Sequence, residues 1–93
     1  MIELNRIYPG DVLVINGDEY EVVTNTALSK GDTETEMTIE CSRPGDKAPI
    51  ICVRYDRQHP KQVKELVRYK ASTKSWVHEK VETLDYKEYD DSF

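Results

Sequence analysis

Residues 11–24 of the chain read DVLVINGDEYEVVT, and this stretch decides the fold. Two short runs rich in β-branched and aromatic residues flank the dipeptide Asn16-Gly17. Asn-Gly is a preferred centre of the type I′ turn, because both residues tolerate the positive φ angles that this turn requires. The stretch therefore predicts a β-hairpin with strands over residues 11–15 and 19–24.

Similar turn signals divide the rest of the first half of the chain. Glycine followed by aspartate recurs at residues 10–11, 31–32 and 45–46, and each pair indicates a turn. Residues 35–41 alternate polar and apolar side chains, which is the pattern of a half-buried strand. Residues 48–55 contain the most apolar run of the chain, which suits the middle of a sheet.

The segment from His59 to Tyr69 is compatible with two structures. A helix beginning at Pro60 would align three apolar residues on one face. The alternative is a strand from about Glu65 that pairs with a strand over residues 76–81, with one helical turn near residues 60–64 before it. We favour the strand.

These elements predict a single all-β domain, built as a small barrel or a strongly bent antiparallel sheet of five to six strands. The domain is expected over residues 1–84, and residues 85–93 form an acidic aromatic tail, either a flexible end or a docking peptide. A chain of 93 residues has room for one such domain. The core is expected from alternate strand residues: Val12, Val14, Tyr20, Val22, Met37, Ile39, Ile51, Val53, Val67, Tyr69, Val77 and Val81.

The opening of the chain resembles a known kind of small barrel. A Pro-Gly-Asp turn at residues 9–11, an apolar strand, Asn16-Gly17 and a second strand with Tyr20 are similar to the first hairpin of barrels of the KOW and Tudor kind. The N-terminal barrel of translation elongation factor P begins in a similar way. The resemblance covers about the first 25 residues and implies a fold rather than a function, because such barrels do unrelated work. The chain lacks the lysine-tipped, glycine-flanked loop of that factor, so we do not transfer its function.

Charge is distributed unevenly along the chain. The net charge is -5, yet residues 54–74 carry seven basic and two acidic side chains, for a local net charge of +5. The segments before and after this stretch are both acidic. Five cations of the basic stretch are expected to form one positive patch, namely Arg54, Arg57, Lys64, Arg68 and Lys70.

The sequence offers little for catalysis or metal binding. The soft and imidazole ligands are Cys41, Cys52, His59 and His78, and no pair has the close spacing of a zinc site. Neither cysteine neighbours a histidine, and no glycine-rich phosphate loop is present. The cysteines are expected to be buried free thiols of a reducing compartment, although opposite strands of one hairpin also allow a disulfide. We predict no enzyme, no cofactor and no metal.

A soluble, cytoplasmic protein is expected. No apolar run approaches the roughly 20 residues of a membrane helix. The first residues also lack the apolar stretch of a signal peptide. We therefore expect no membrane partner.

Two functions of different classes remain. The first is a non-enzymatic accessory or inhibitory protein that docks on a larger protein through a charged hairpin face, and compact acidic domains of this sort are common among virus-encoded factors. The second is a nucleic-acid-binding module, because aromatic side chains among basic ones can stack on bases and contact phosphates. Protein binding is favoured because the chain is acidic overall. Both functions use one candidate surface: Arg54, Tyr55, Arg57, Lys64, Arg68, Tyr69, Lys70, Lys74 and Trp76.

Overall fold

Seven antiparallel strands form one sheet in the computed structural model, which describes residues 3–27 and 36–87. A single 3-10 turn at Leu4–Arg6 comes before them. The strands are β1 (Val12–Ile15), β2 (Asp18–Ala27), β3 (Glu36–Ser42), β4 (Ile51–Asp56), β5 (Glu65–Lys70), β6 (Ser75–His78) and β7 (Leu84–Lys87). Within this described part of the chain, no helix has the length and apolarity needed to cross a membrane.

The strand order is β6-β5-β4-β3-β2-β1-β7, so β6 and β7 are the two edges of an open sheet. The sheet is strongly bent. The bend brings the Arg68 guanidinium on β5 to 5.4 Å from the ring centre of Tyr20 on β2, three strands away. The all-β prediction is confirmed. The sheet has seven strands instead of five or six, and it is not closed into a barrel.

The first hairpin has the predicted turn. Asn16 and Gly17 have φ angles of 50° and 87°, and Ile15 pairs with Asp18 across them. The predicted phase of β1 is wrong, since Leu13 and Ile15 are buried while Val12 and Val14 are not. All four residues of β1 are apolar, so alternation within the strand cannot identify its inner face.

The core lies on one face of the bent sheet, beneath the N-terminal 3-10 turn. Five predicted core residues are confirmed there: Tyr20, Val22, Ile39, Ile51 and Val53. The prediction omitted the seven other members: Leu4, Ile7, Leu13, Ile15, Cys41, Tyr55 and Leu66. Met37 and Val81 are half-buried and pack against this cluster, whereas Tyr69 is 37 % exposed and was wrongly assigned to the core.

The segment from His59 to Tyr69, for which a helix and a strand were both possible, contains the favoured strand. This strand, β5, begins at Glu65. The helical turn expected near residues 60–64 is absent from this described segment, where two successive four-residue turns form instead. In these turns the amide of His59 donates to Asp56, and the amide of Gln62 donates to His59. The Lys64 amide already donates to Arg54 on β4, so the chain is extended before a helix can propagate.

The end of the described chain adds a strand to β1. Ile15 pairs with Leu84, and Val12 pairs with Lys87. The predicted domain boundary at residue 84 therefore falls at the first residue of β7, and residues 85–87 belong to the sheet. Residues 88–93 of the predicted tail lie outside the described residues.

Residues 79–83, which we call the strap, connect β6 to β7 across the open side of the sheet. Asn16 in the first turn holds the strap. Its side-chain amide donates to the Lys80 carbonyl at 2.9 Å, and its side-chain oxygen accepts from the amides of Glu82 and Thr83 at 2.7 and 3.1 Å. At the other end of the strap, the Glu79 amide donates to Leu66. The strap is therefore held to the first turn by Asn16 and to β5 by the amide of Glu79.

Replacing Asn16 with glycine is expected to loosen the strap without breaking the turn. Glycine keeps the positive φ but removes three side-chain hydrogen bonds, for a loss of about 1–3 kcal/mol in the free energy of unfolding. Amide exchange should accelerate at Glu82 and Thr83. Lys74→Gly is the matched control, since Lys74 also has a positive φ of 52° but lies exposed in a turn. Unchanged exchange at both strap amides would contradict this role of Asn16.

Candidate binding surface

Tyr69 and Trp76 stand side by side on the hairpin formed by β5 and β6. They are direct cross-strand partners, and their ring centres lie 5.5 Å apart with the planes tilted by 59°. This separation and tilt are typical of a favourable aromatic pair. Tyr69 is 37 % exposed and Trp76 is 45 % exposed. Two rings in tilted contact are therefore presented to solvent next to a sheet edge.

The aromatic pair lies on the face of the sheet opposite the core, which we call the outer face. Side chains alternate along β5, so Val67 and Tyr69 share a face while Leu66 points into the core. Val67 is only 7 % exposed, and its cross-strand partners are Cys52 and His78. Val67, predicted as a core residue, is buried on this outer face, and His78, considered from the sequence only as a possible metal ligand, lies opposite it. Both residues extend the aromatic pair along the outer face.

Two lysines flank the aromatic pair at the turn end of the hairpin. Lys70 is the last residue of β5 and pairs with Ser75, and Lys74 precedes β6. Both residues are exposed. Neither forms an ion pair with a carboxylate in the described residues. Lys70 alternates with Tyr69 along β5, so its side chain lies on the face of Arg68 and not on the outer face. The two lysines therefore supply positive charge at the turn end of the hairpin, next to the edge of β6.

Two other predicted cations of this region are paired with carboxylates. Arg54 Nη1 donates to Glu65 at 2.9 Å. The same glutamate lies 3.1 Å from Nδ1 of His78 through its other oxygen. Lys64 is exposed, and its amine lies 3.7 Å from Glu36. Partners supplied by the chain itself thus reduce the positive charge around Glu65.

Arg68 points into the bent sheet and is fixed there. Its Nε donates to Glu79 at 2.5 Å, and its Nη1 donates to the Tyr20 hydroxyl at 2.7 Å. The hydrogen bond from Arg68 is the main reason that the pKa of Glu79 is lowered, and the bond to Glu79 likewise raises the pKa of Arg68. Arg68 therefore joins β5, β2 and the strap, and it contributes little free charge to a partner.

The remaining predicted residues, Tyr55 and Arg57, lie away from the aromatic pair. Tyr55 is fully buried in the core, and its hydroxyl donates to Asn25 at 3.0 Å. Burial is the main cause that raises the pKa of Tyr55. Arg57 is exposed in the turn after β4, with Nη2 3.6 Å from the sulfur of Met37.

The structure therefore does not gather the predicted cations into one patch. They are divided between the outer face, the inside of the bent sheet and two turns, and three of them have acidic partners. The surface that remains is small and consists of the aromatic pair with Val67 on the outer face and two lysines at the turn end of the hairpin. We call it the hairpin surface and define it by five residues: Val67, Tyr69, Lys70, Lys74 and Trp76.

A groove of ≈ 450 Å³ lies at the other end of the hairpin, beside the strap. Its lining residues are Val63, Lys64, Glu65, Leu66, His78, Glu79 and Val81. The two glutamates are already paired with Arg54 and Arg68, and the lining includes no serine, threonine or cysteine. In the described part of the chain, no three acidic, histidine or cysteine side chains are grouped so as to hold a metal ion.

The two cysteines are free and lie on opposite faces of the sheet. Cys41 pairs with Ile51 and points into the core, while Cys52 pairs with Glu40 on the outer face. Adjacent pairs of an antiparallel ladder alternate between the two faces. The structure thus contains the two free thiols and not the alternative disulfide.

The ion pair between Arg68 and Glu79 is expected to make stability depend on acid pH. The pKa of Glu79 is lowered from its ordinary value of 4.5, so this pair stabilises the fold above pH 4.5 and its contribution is lost as the pH falls through the lowered pKa. Glu79→Gln should flatten the acid part of a plot of unfolding free energy against pH. Glu82→Gln, at an exposed strap residue, should leave the slope unchanged. Equal slopes in wild type and Glu79→Gln would contradict this role.

Comparison with known proteins identifies no relative, since no family model, no curated protein and no solved structure matches the chain. The structure supports the coarse expectation of a small antiparallel β-sheet domain, compatible with a barrel-like fold. Function is therefore inferred from the hairpin surface.

Proposed function

We propose that the chain is a non-enzymatic, acidic protein-binding module, which docks on a larger protein through the hairpin surface. The exposed pair of Tyr69 and Trp76 is the observation that carries this proposal. Tyrosine and tryptophan are enriched among the few residues that dominate binding energy at protein interfaces. The lysines at the turn end of the hairpin add charge that steers a partner towards it.

The division of charge favours a protein partner over a nucleic acid. Binding to a phosphate backbone depends on several free cations that release counterions. Arg54, Lys64 and Arg68 have acidic partners within the chain, which leaves Lys70 and Lys74 at the turn end of the hairpin. The net charge of -5 also repels a polyanion.

The finer features of the proposal follow from the sequence. We propose that the module is an accessory or inhibitory factor, of the kind that viruses encode. Its first hairpin resembles that of KOW and Tudor barrels, which supports the fold class and not a particular function. Its two free thiols suit a reducing compartment such as the cytoplasm.

Affinity capture from a cell lysate, with and without nuclease, tests this function. The wild-type protein is expected to retain a protein partner after nuclease treatment, and Trp76→Ser combined with Tyr69→Ser should lose it. Tyr8→Ser is the matched control, because Tyr8 is also a surface aromatic, 66 % exposed, outside the hairpin. Loss of capture on nuclease treatment would favour the nucleic-acid module. Unchanged capture by the double variant would remove the hairpin surface from the interaction.

A further inference from the structure

We propose that the partner of the hairpin surface binds as an extended segment, which pairs with the free edge of β6 as an added antiparallel strand and places an acidic residue near Lys70 and Lys74. This inference rests on the proposed function and deepens it, because it gives the partner's conformation and its chemistry. Three features of the β6 edge support the inference: the backbone groups that point away from the sheet, the few features that would block an added strand, and the two lysines at its end.

The hydrogen-bonding pattern of β6 leaves the backbone amide and carbonyl groups of two residues pointing away from β5. The Glu79 amide donates to Leu66 on β5. Peptide groups of an antiparallel edge strand alternate between its neighbour and the open side. Ser75 and Val77 therefore bond to β5, and the amide and carbonyl groups of Trp76 and His78 point away from the sheet. Among the described residues no other strand pairs with this edge.

The edge of β6 is short, at four residues, but it lacks the other devices that usually prevent strand addition. Protected edges carry lysines, prolines, bulges or other charged side chains. β6 reads Ser-Trp-Val-His and pairs with β5 without a register shift. The opposite edge strand, β7, reads Leu-Asp-Tyr-Lys and carries Asp85 and Lys87. The two edges of one sheet therefore differ, and the unprotected edge is the one beside the aromatic pair.

Sheet geometry defines the side chains that a partner must present. A residue opposite Trp76 lies on the outer face beside the indole ring, which favours an apolar side chain. The next residue lies opposite Ser75, and Ser75 is in register with Lys70. Its Cα is about 10 Å from that of Lys70, two strand spacings away, which a lysine and a glutamate side chain together span. An apolar residue followed by an acidic one is thus the complementary pair.

The lysines provide the charge complementarity for this assignment. Arg54, Lys64 and Arg68 already have carboxylate partners in the chain. Lys70 and Lys74, at the end of the open edge, have no such ion pair in the described residues. An acidic residue at the end of an added strand matches these two charges.

The fluorescence of Trp76, the one tryptophan of the chain, gives a direct measurement. The probe is an end-blocked peptide of sequence TVTVED, whose second valine is opposite Trp76 when its glutamate is opposite Ser75. Titration of the full chain with this peptide should shift the tryptophan emission. The peptide TVTVKK should bind at least about tenfold more weakly. Methylating the amide nitrogen of the second valine removes a bond to Trp76 and should weaken binding about tenfold. Methylating the amide nitrogen of the glutamate, which points away from β6, should have little effect.

Charge exchange in the protein completes the test. Lys70→Glu with Lys74→Glu should reverse the preference, so that TVTVKK binds more tightly than TVTVED. Lys47→Glu with Lys61→Glu makes the same change in net charge at two exposed lysines elsewhere and should not reverse it. Failure of either expectation would overturn the role assigned to the acidic residue.

Two results would overturn strand addition itself. The first is equal weakening by the two methylated peptides, or no binding of TVTVED at all. The second is binding only to a chain that ends at Lys87 and keeps its β-sheet circular dichroism, which would assign the edge to residues 88–93 of the chain itself. If strand addition fails while affinity capture still depends on Tyr69 and Trp76, the proposed function stands without this mode of binding.

Discussion

Replacing Asn25 with alanine is expected to lower the free energy of unfolding by about 3 kcal/mol or more. The side-chain amide of Asn25 donates to the carbonyls of Leu4 and Ile7 at 2.9 and 2.8 Å, and its oxygen accepts from the hydroxyl of Tyr55. Leu4, Ile7 and Tyr55 are all buried. Alanine would take a partner from three buried polar groups, of which the Leu4 carbonyl keeps the amide of Ile7. Water cannot easily replace the lost partner at the Ile7 carbonyl and the Tyr55 hydroxyl.

Two other substitutions calibrate this loss in urea-induced unfolding. Tyr55→Phe removes one of the three hydrogen bonds and should cost about 1–2 kcal/mol. Thr26→Ala changes an exposed residue next to Asn25 on β2 and should cost less than about 0.5 kcal/mol. If Asn25→Ala is no more destabilising than Thr26→Ala, Asn25 does not hold the N-terminal turn on the sheet.

The two thiols are expected to react with iodoacetamide at very different rates in the folded protein. Burial is the main cause that raises the pKa of Cys41 to about 12, so at pH 8 only about one molecule in 10⁴ carries the reactive thiolate. The pKa of Cys52 is also raised by burial, but Cys52 is half-exposed on the outer face. We expect Cys52 to be alkylated first and Cys41 at least about 10²-fold more slowly.

Single-cysteine variants make this prediction measurable by mass spectrometry. Cys52→Ser should resist alkylation at pH 8 until urea unfolds it, whereas Cys41→Ser should react while folded. Raising the pH towards 9 should accelerate both reactions, because thiolate is the reactive form. Similar rates for the two folded variants would contradict the placement of Cys41 in the core.

Local signals in the sequence were sufficient for much of the fold. Asn16-Gly17 predicts the first turn because positive φ angles are a property of those two residues and need no distant partner. The alternation of residues 35–41 predicts the inner face of β3. The inner face of β1 was not predictable within the strand, where every residue is apolar. The inner face of β1 follows from its register with β2, which places Val14 opposite Glu19. Cross-strand partners share a face of the sheet, and the glutamate must face water, so Val14 faces outward.

Only part of the candidate surface was predictable from the sequence, because strand register decides which side chains come together. Tyr69 and Trp76 were named from the sequence, and the structure places them together. The cations near them were grouped by position in the sequence, but strand alternation separates Arg54 from Arg68. Their carboxylate partners are Glu65 and Glu79, each 11 residues from its arginine, and the strand register that brings them together is a tertiary property.

The pairing of β1 with β7 has a consequence for how the chain folds. Ile15 and Leu84 are paired although 69 residues separate them, while every other strand pair in the sheet joins consecutive strands. Closing a long loop costs conformational entropy before the new contacts repay it, and such distant contacts slow folding. Strands β1 to β6 can therefore assemble as a series of hairpins, and β7 joins last. During synthesis β1 keeps one edge unpaired until residues 84–87 have left the ribosome, so the nascent sheet is most open to mispairing just before it is complete.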